Sequence, residues 1–151
     1  MKRTVLATIL ILTSWSGYAD NLSMDDSLCS QVFLNTYKAG KTVNEHQINE
    51  FLGALGCEYF SSAEGGEFGN ELLFSIVLSH PEIFLKSFSN QERLIQNIIL
   101  VELERPVHDG IDLAKVRTSV SNAHGDKKVK ERILNAIKVP GTAPLNKVSG
   151  K

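Results

Sequence analysis

Residues 79–106, SHPEIFLKSFSNQERLIQNIILVELERP, set the fold class. Two apolar patterns of helical period stand between Pro81 and Pro106: Ile83, Phe84, Leu85 and Phe88, then Leu94, Ile95, Ile98, Ile99 and Leu103 over residues 90–104. Proline lacks an N–H, so it is accommodated in the first turn of a helix and stops one that reaches it from the other side. Ile98-Ile99-Leu100-Val101 has the composition of a buried strand, but its flanks are helical. No stretch shows the strict alternation and turn pairs of a sheet, so the chain is expected to be all-α.

Working outward toward the C-terminus, the polar corner Val107-His108-Asp109-Gly110 leads to a sixth helix with Leu113, Val116 and Val120 inward, closing at Gly125. A seventh, residues 126–139, buries Val129, Ile133 and Ile137 and turns Lys127, Lys128, Lys130 and Arg132 to solvent. Pro140 stops it, and residues 140–151 read as a disordered basic tail.

Toward the N-terminus, residues 71–79 form a third helix through Leu72, Leu73, Ile76 and Val77. Residues 58–70, EYFSSAEGGEFGN, read as a connecting loop because three glycines fall among three acids and three aromatics. A second helix starting at Thr42 carries Ile48, Phe51, Leu52 and Leu55 at i, i+3, i+4 and i+7 and stops at Gly56. The first, residues 24–39, has Leu28, Cys29, Val32, Phe33 and Tyr37 on one side and Gly40 closing it. Ser or Thr followed three positions on by an acid marks four starts: Ser23 with Asp26, Thr42 with Glu45, Ser79 with Glu82, and Ser89 with Glu92. About seven short helices in antiparallel hairpins follow, with a spacing resembling a short helical-repeat superhelix, although no internal repeat is present.

Residues 1–19 read as a cleaved secretory signal. Lys2 and Arg3 precede an apolar run over residues 4–15, too short to span a bilayer, and Gly17-Tyr18-Ala19 is a small-x-small cleavage site before Asp20. Residues 20–139 then form a single domain, addressed to the periplasm or beyond. In that compartment Cys29 and Cys57 are expected to join, because a two-residue link makes the first two helices fold back and brings the end of one to the start of the other.

Charge is divided along the chain: residues 20–114 hold 15 acids and 5 bases, residues 115–151 hold 2 acids and 9 bases. One account is intramolecular, a basic last helix against acidic earlier ones. The other is an acidic partner or an anionic membrane surface meeting the basic C-terminal helix. An acidic majority on an exported chain speaks against nucleic acid.

Nothing here carries catalysis. His108-Asp109 with Asp112 is the densest set of potential metal ligands, but His80 and His124 are the only distant additions, and a cap on the sixth helix by Asp109 or Asp112 accounts for the acids. No Gly-x-Ser-x-Gly elbow occurs, and Gly65-Gly66-Glu67-Phe68-Gly69 lacks the lysine of a phosphate loop. No metal, cofactor or catalytic residue is assigned. The partner-binding candidates are Tyr59, Phe60, Glu64, Glu67 and Phe68, because large rings beside carboxylates suit a basic protein cleft. Against this, the same rings could tuck onto the first hairpin. The expectation is a non-catalytic exported binding protein, for which an immunity or inhibitor protein against an envelope-acting enzyme is one form. A periplasmic chaperone or assembly factor and a small envelope hydrolase are the alternatives.

Overall fold

A computed structural model of the chain describes residues 26–139. The expected signal at 1–19, the Ser23 cap and the tail at 140–151 lie outside the described residues. Among the described residues there are eight α-helices and no strand: α1 Asp26–Ala39, α2 Glu45–Ala54, α3 Glu58–Ser61, α4 Ala63–Ser79, α5 Pro81–Asn90, α6 Arg93–Glu104, α7 Leu113–Asn122 and α8 Lys127–Ala136.

The α1–α2 link works as its sequence implies. Gly40 takes φ +51°, a conformation that costs other residues a steric penalty, and a single 3-10 turn, Gly40–Thr42, reverses the chain. The sulfurs of Cys29, near the start of α1, and Cys57, just after α2, meet as a disulfide across Cα atoms 6.7 Å apart. The hairpin is therefore antiparallel.

None of the three described Ser/Thr caps operates. Thr42 donates its hydroxyl to Ala39 O in the 3-10 turn, and Asn44 caps α2 instead, in a reciprocal box with Gln47. Ser79 ends α4, and α5 starts at Pro81 with no side-chain cap. Ser89 lies inside α5 and donates back to Leu85 O, so α6 begins at Arg93 rather than at 90. The caps that do form are Asn44, Ser62, Asp112 and Asp126.

The largest correction concerns residues 58–70. They are α3 and the first half of α4, with the glycines placed where two helices nearly touch. A Cβ on Gly65 would stand 2.1 Å from the carbonyl oxygen of Tyr59, and one on Gly69 would stand 2.6 Å from the Phe60 ring. Glycine serves close packing here, not flexibility.

All of the helices share one core. α2 packs on α5, α4 on α7 and α6 on α8, so the strongest contacts beyond neighbouring helices join elements two or three apart in order. Phe33 of α1 is fully buried at the centre of an aromatic cluster, its ring 5.1 Å from Phe51, 5.7 Å from Tyr59, 6.1 Å from Phe60 and 6.4 Å from Phe68. Three residues expected inside are outside: Leu28, Tyr37 and Leu94 are exposed.

Asn70 went unread in the sequence. It is wholly buried in α4, donates through Nδ2 to Glu102 O, Glu102 Oε2 and Arg105 O, and accepts from the Val107 N–H at 3.2 Å. One amide thus satisfies the free carbonyls at the end of α6 and holds the turn at Pro106.

Candidate functional site

The site builds from the seam between α1 and the first half of α4. Gly69 and Gly65 let α3 and Phe33 come close to α4, which directs Phe60 into the core, where it is 9% exposed. Phe60 is therefore a core side chain rather than an exposed ring, and it lines the groove between α3 and α6. Tyr59 is half-buried against Phe33. Phe68 is also half-buried, between Phe33 and a ring not anticipated for this role, Tyr37 of α1, 5.5 Å away and edge-on. Tyr37 is 62% exposed. Its position near the end of α1 offered a clue, since a tyrosine can lay its ring on a core while keeping its hydroxyl in water.

Glu64, Phe68 and Glu71 recur at i, i+4 and i+7 and so share one face of α4, with Glu67 beside them. Glu71 accepts from His108 Nε2 at 2.8 Å; His108 Nδ1 accepts from the Gly110 N–H, which assigns the ring proton to Nε2. Among the described residues, Glu58, Glu64 and Glu67 form no ion pair. The result is a strip of uncompensated carboxylates along an exposed tyrosine and the edge of a phenylalanine, with Leu34 exposed on α1 nearby. Of the five residues proposed from sequence, Tyr59, Glu64, Glu67 and Phe68 reach this surface.

The basic end is largely engaged within the molecule. Lys130 donates to Ser121 O and Ala123 O, closing α7, and Arg117 donates to Leu134 O and Ile137 O, closing α8. Arg132 bonds Gln96 and lies over the Phe88 ring, while Lys138 pairs with Glu104 at 3.0 Å. Lys127 stands 4.0 Å from Glu131. Lys130 and Arg117 thus meet helix C-termini, while among the basic residues from Lys115 onward Lys138 is the one paired with an acid of an earlier helix among the described residues.

The His108 cluster has structural duties as well. Asp112 accepts from the Lys115 N–H at 3.0 Å, capping α7, and that bond holds its carboxyl below the ordinary range. Among the described residues, no group of three or more His, Cys, Asp or Glu is placed to hold a metal ion. A hollow of 540 Å³ opens at the α4–α5 corner beside Ser119 and Asn122. Its carboxylate, Glu82, is taken up by the ring and backbone N–H of His124, which hold its carboxyl below the ordinary range. Among the described residues, no helix is long and apolar enough to cross a membrane. Comparison with protein-family models, with curated proteins and with solved structures finds no match for this chain, so its function is argued from these surfaces.

Proposed function

We propose that the chain is a non-catalytic binding protein exported to a bacterial envelope, and that it grips one protein partner through the α1–α4 seam. The observation that supports this is the strip formed by Tyr37, Phe68, Glu64 and Glu67. It joins exposed aromatic area to carboxylates that pair with no cation among the described residues, on helices tied together by the disulfide and the Phe33 cluster. Rigid aromatic anchors lose little entropy on binding, and unpaired acids steer a basic cleft into register. An immunity or inhibitor protein that covers the cleft of an envelope-acting enzyme fits that chemistry. A chaperone or assembly factor is the second reading, favoured by an apolar groove between α3 and α6 lined by Leu55, Phe60 and Ile98.

The test is a titration against a partner co-purified from envelope extract. Tyr37→Ala combined with Glu64→Lys and Glu67→Lys should weaken the complex at least tenfold, about 1.4 kcal/mol. Reversing Lys127, Lys128 and Lys130 to Glu should chiefly slow association at low salt. If the seam variant binds as the wild type does and the lysine reversal abolishes binding, the seam is not the interface. Weak binding to many unfolded clients would favour the chaperone reading, and turnover on an envelope polymer would overturn the non-catalytic one.

A further inference from the structure

The outer face of α6 has no cover among the described residues, and its pattern is complementary to itself. Leu94 is 57% exposed and Val101 47% exposed, with Ile98 half-buried between them. These three stand at i, i+4 and i+7, the alternating spacing by which one helix packs along another at a shallow angle. Asn97, exposed, completes the ridge. These side chains form one wall of a groove of 410 Å³ whose other wall is Leu55, Gly56 and Phe60.

Charge identifies the occupant. Arg93 and Glu104 flank this ridge at its two ends, both exposed. They are eleven residues apart in sequence, close to three full turns at 3.6 residues per turn, so they lie on the same side of the helix. The midpoint of Leu94 and Val101 and the midpoint of Arg93 and Glu104 both fall within a residue of Ile98. One twofold axis near Ile98 therefore lays Leu94 against Val101 and sets Arg93 of each copy opposite Glu104 of the other. A parallel alignment would set like charge against like and gain neither ion pair. Among the described residues the Arg93 side chain makes no ion pair, and Glu104 meets only Lys138, which leaves it an oxygen for a second cation.

We infer that this face is where the chain pairs with a second copy of itself, as an antiparallel, isologous α6–α6 dimer. One helical ridge and its groove fall short of the roughly 800 Å² per partner of a standard interface, so the dimer is weak and concentration-dependent. The ridge belongs to α6 and the proposed partner strip to α1 and α4, so separate variants test the two, whereas the chaperone reading takes this same groove.

Sedimentation velocity on the purified protein, with no partner present, tests it. Between about 1 and 300 µM the weight-average mass should climb from monomer toward dimer. Leu94→Glu should leave a monomer throughout with an unchanged circular dichroism spectrum, since the side chain is exposed. Arg93→Glu and Glu104→Arg should each raise the dissociation constant at least tenfold, and the double exchange should recover most of that loss at low salt. A monomer at every concentration, a dimer that survives Leu94→Glu, or a double exchange no better than its parents would overturn the inference. In those cases the ridge is covered by a different molecule or by none.

Discussion

Alanine in place of Gly65 is a sharp test of the packing at 58–70. In an exposed helix interior this exchange stabilises by about 0.8–1 kcal/mol, because glycine has the larger backbone entropy to lose. At position 65 the added Cβ would stand 2.1 Å from Tyr59 O and 2.9 Å from Tyr59 C, both backbone atoms that cannot rotate away. Overfilling of a packed site typically costs 1–3 kcal/mol, and a backbone clash belongs at the upper end. Gly65→Ala should therefore lower the unfolding free energy by about 2 kcal/mol net. Gly53→Ala is the internal control: it too is helical, but its nearest neighbour is Gln91 Oε1 at 3.6 Å, so it should raise stability by up to about 1 kcal/mol. Urea unfolding followed by circular dichroism measures both, with equal m-values required. If Gly65→Ala stabilises as much as Gly53→Ala, α3 does not press on α4 in solution, and residues 58–70 are the loop their composition suggests.

Two further outcomes follow from the same contacts. Non-reducing peptide mapping should find Cys29 joined to Cys57, and Cys57→Ser should cost about 3–4 kcal/mol, the loop-closure value for a sequence separation of 28; two alkylatable thiols in the freshly isolated protein would contradict it. Acid should also destabilise the fold through Glu82 and Asp112, whose carboxyls are held below their ordinary values of 4.5 and 3.8 by the His124 and Lys115 hydrogen bonds. For such groups the contribution is complete above the ordinary value and disappears as pH falls through the lowered one, so Glu82→Gln should lower stability at neutrality, flatten the profile below about pH 4.5 and converge with the wild type in acid. An identical acid limb in the variant would show that the pair contributes nothing.

What could be read from the chain was what neighbours in sequence decide. Pro81 opening a helix, Gly40 reversing the chain and Asp112 capping α7 each depend on a few adjacent dihedrals and one local hydrogen bond. The cysteine pairing was legible for a related reason: a two-residue link leaves a hairpin little choice. Serine caps were misread because a hydroxyl in a helix can donate to the carbonyl four residues back as readily as it can cap, as Ser89 does. Of the proposed partner surface, Glu64, Glu67 and the Phe68 ring were legible in the sequence, but Tyr37, which packs on that ring from α1, was not.

The sequence by itself determined that this protein is helical, where most of its helices lie and which cysteines could join, because periodicity, proline and glycine act over a few residues. Only the tertiary structure decided that the Gly-rich 58–70 segment is helix, that Phe60 points in while Tyr37 and Leu94 point out, and that Asn70 holds the end of α6. Each of these depends on which helix lies across the way, and helix spacing carries no record of that: the same apolar step is core when a neighbour covers it and surface when none does.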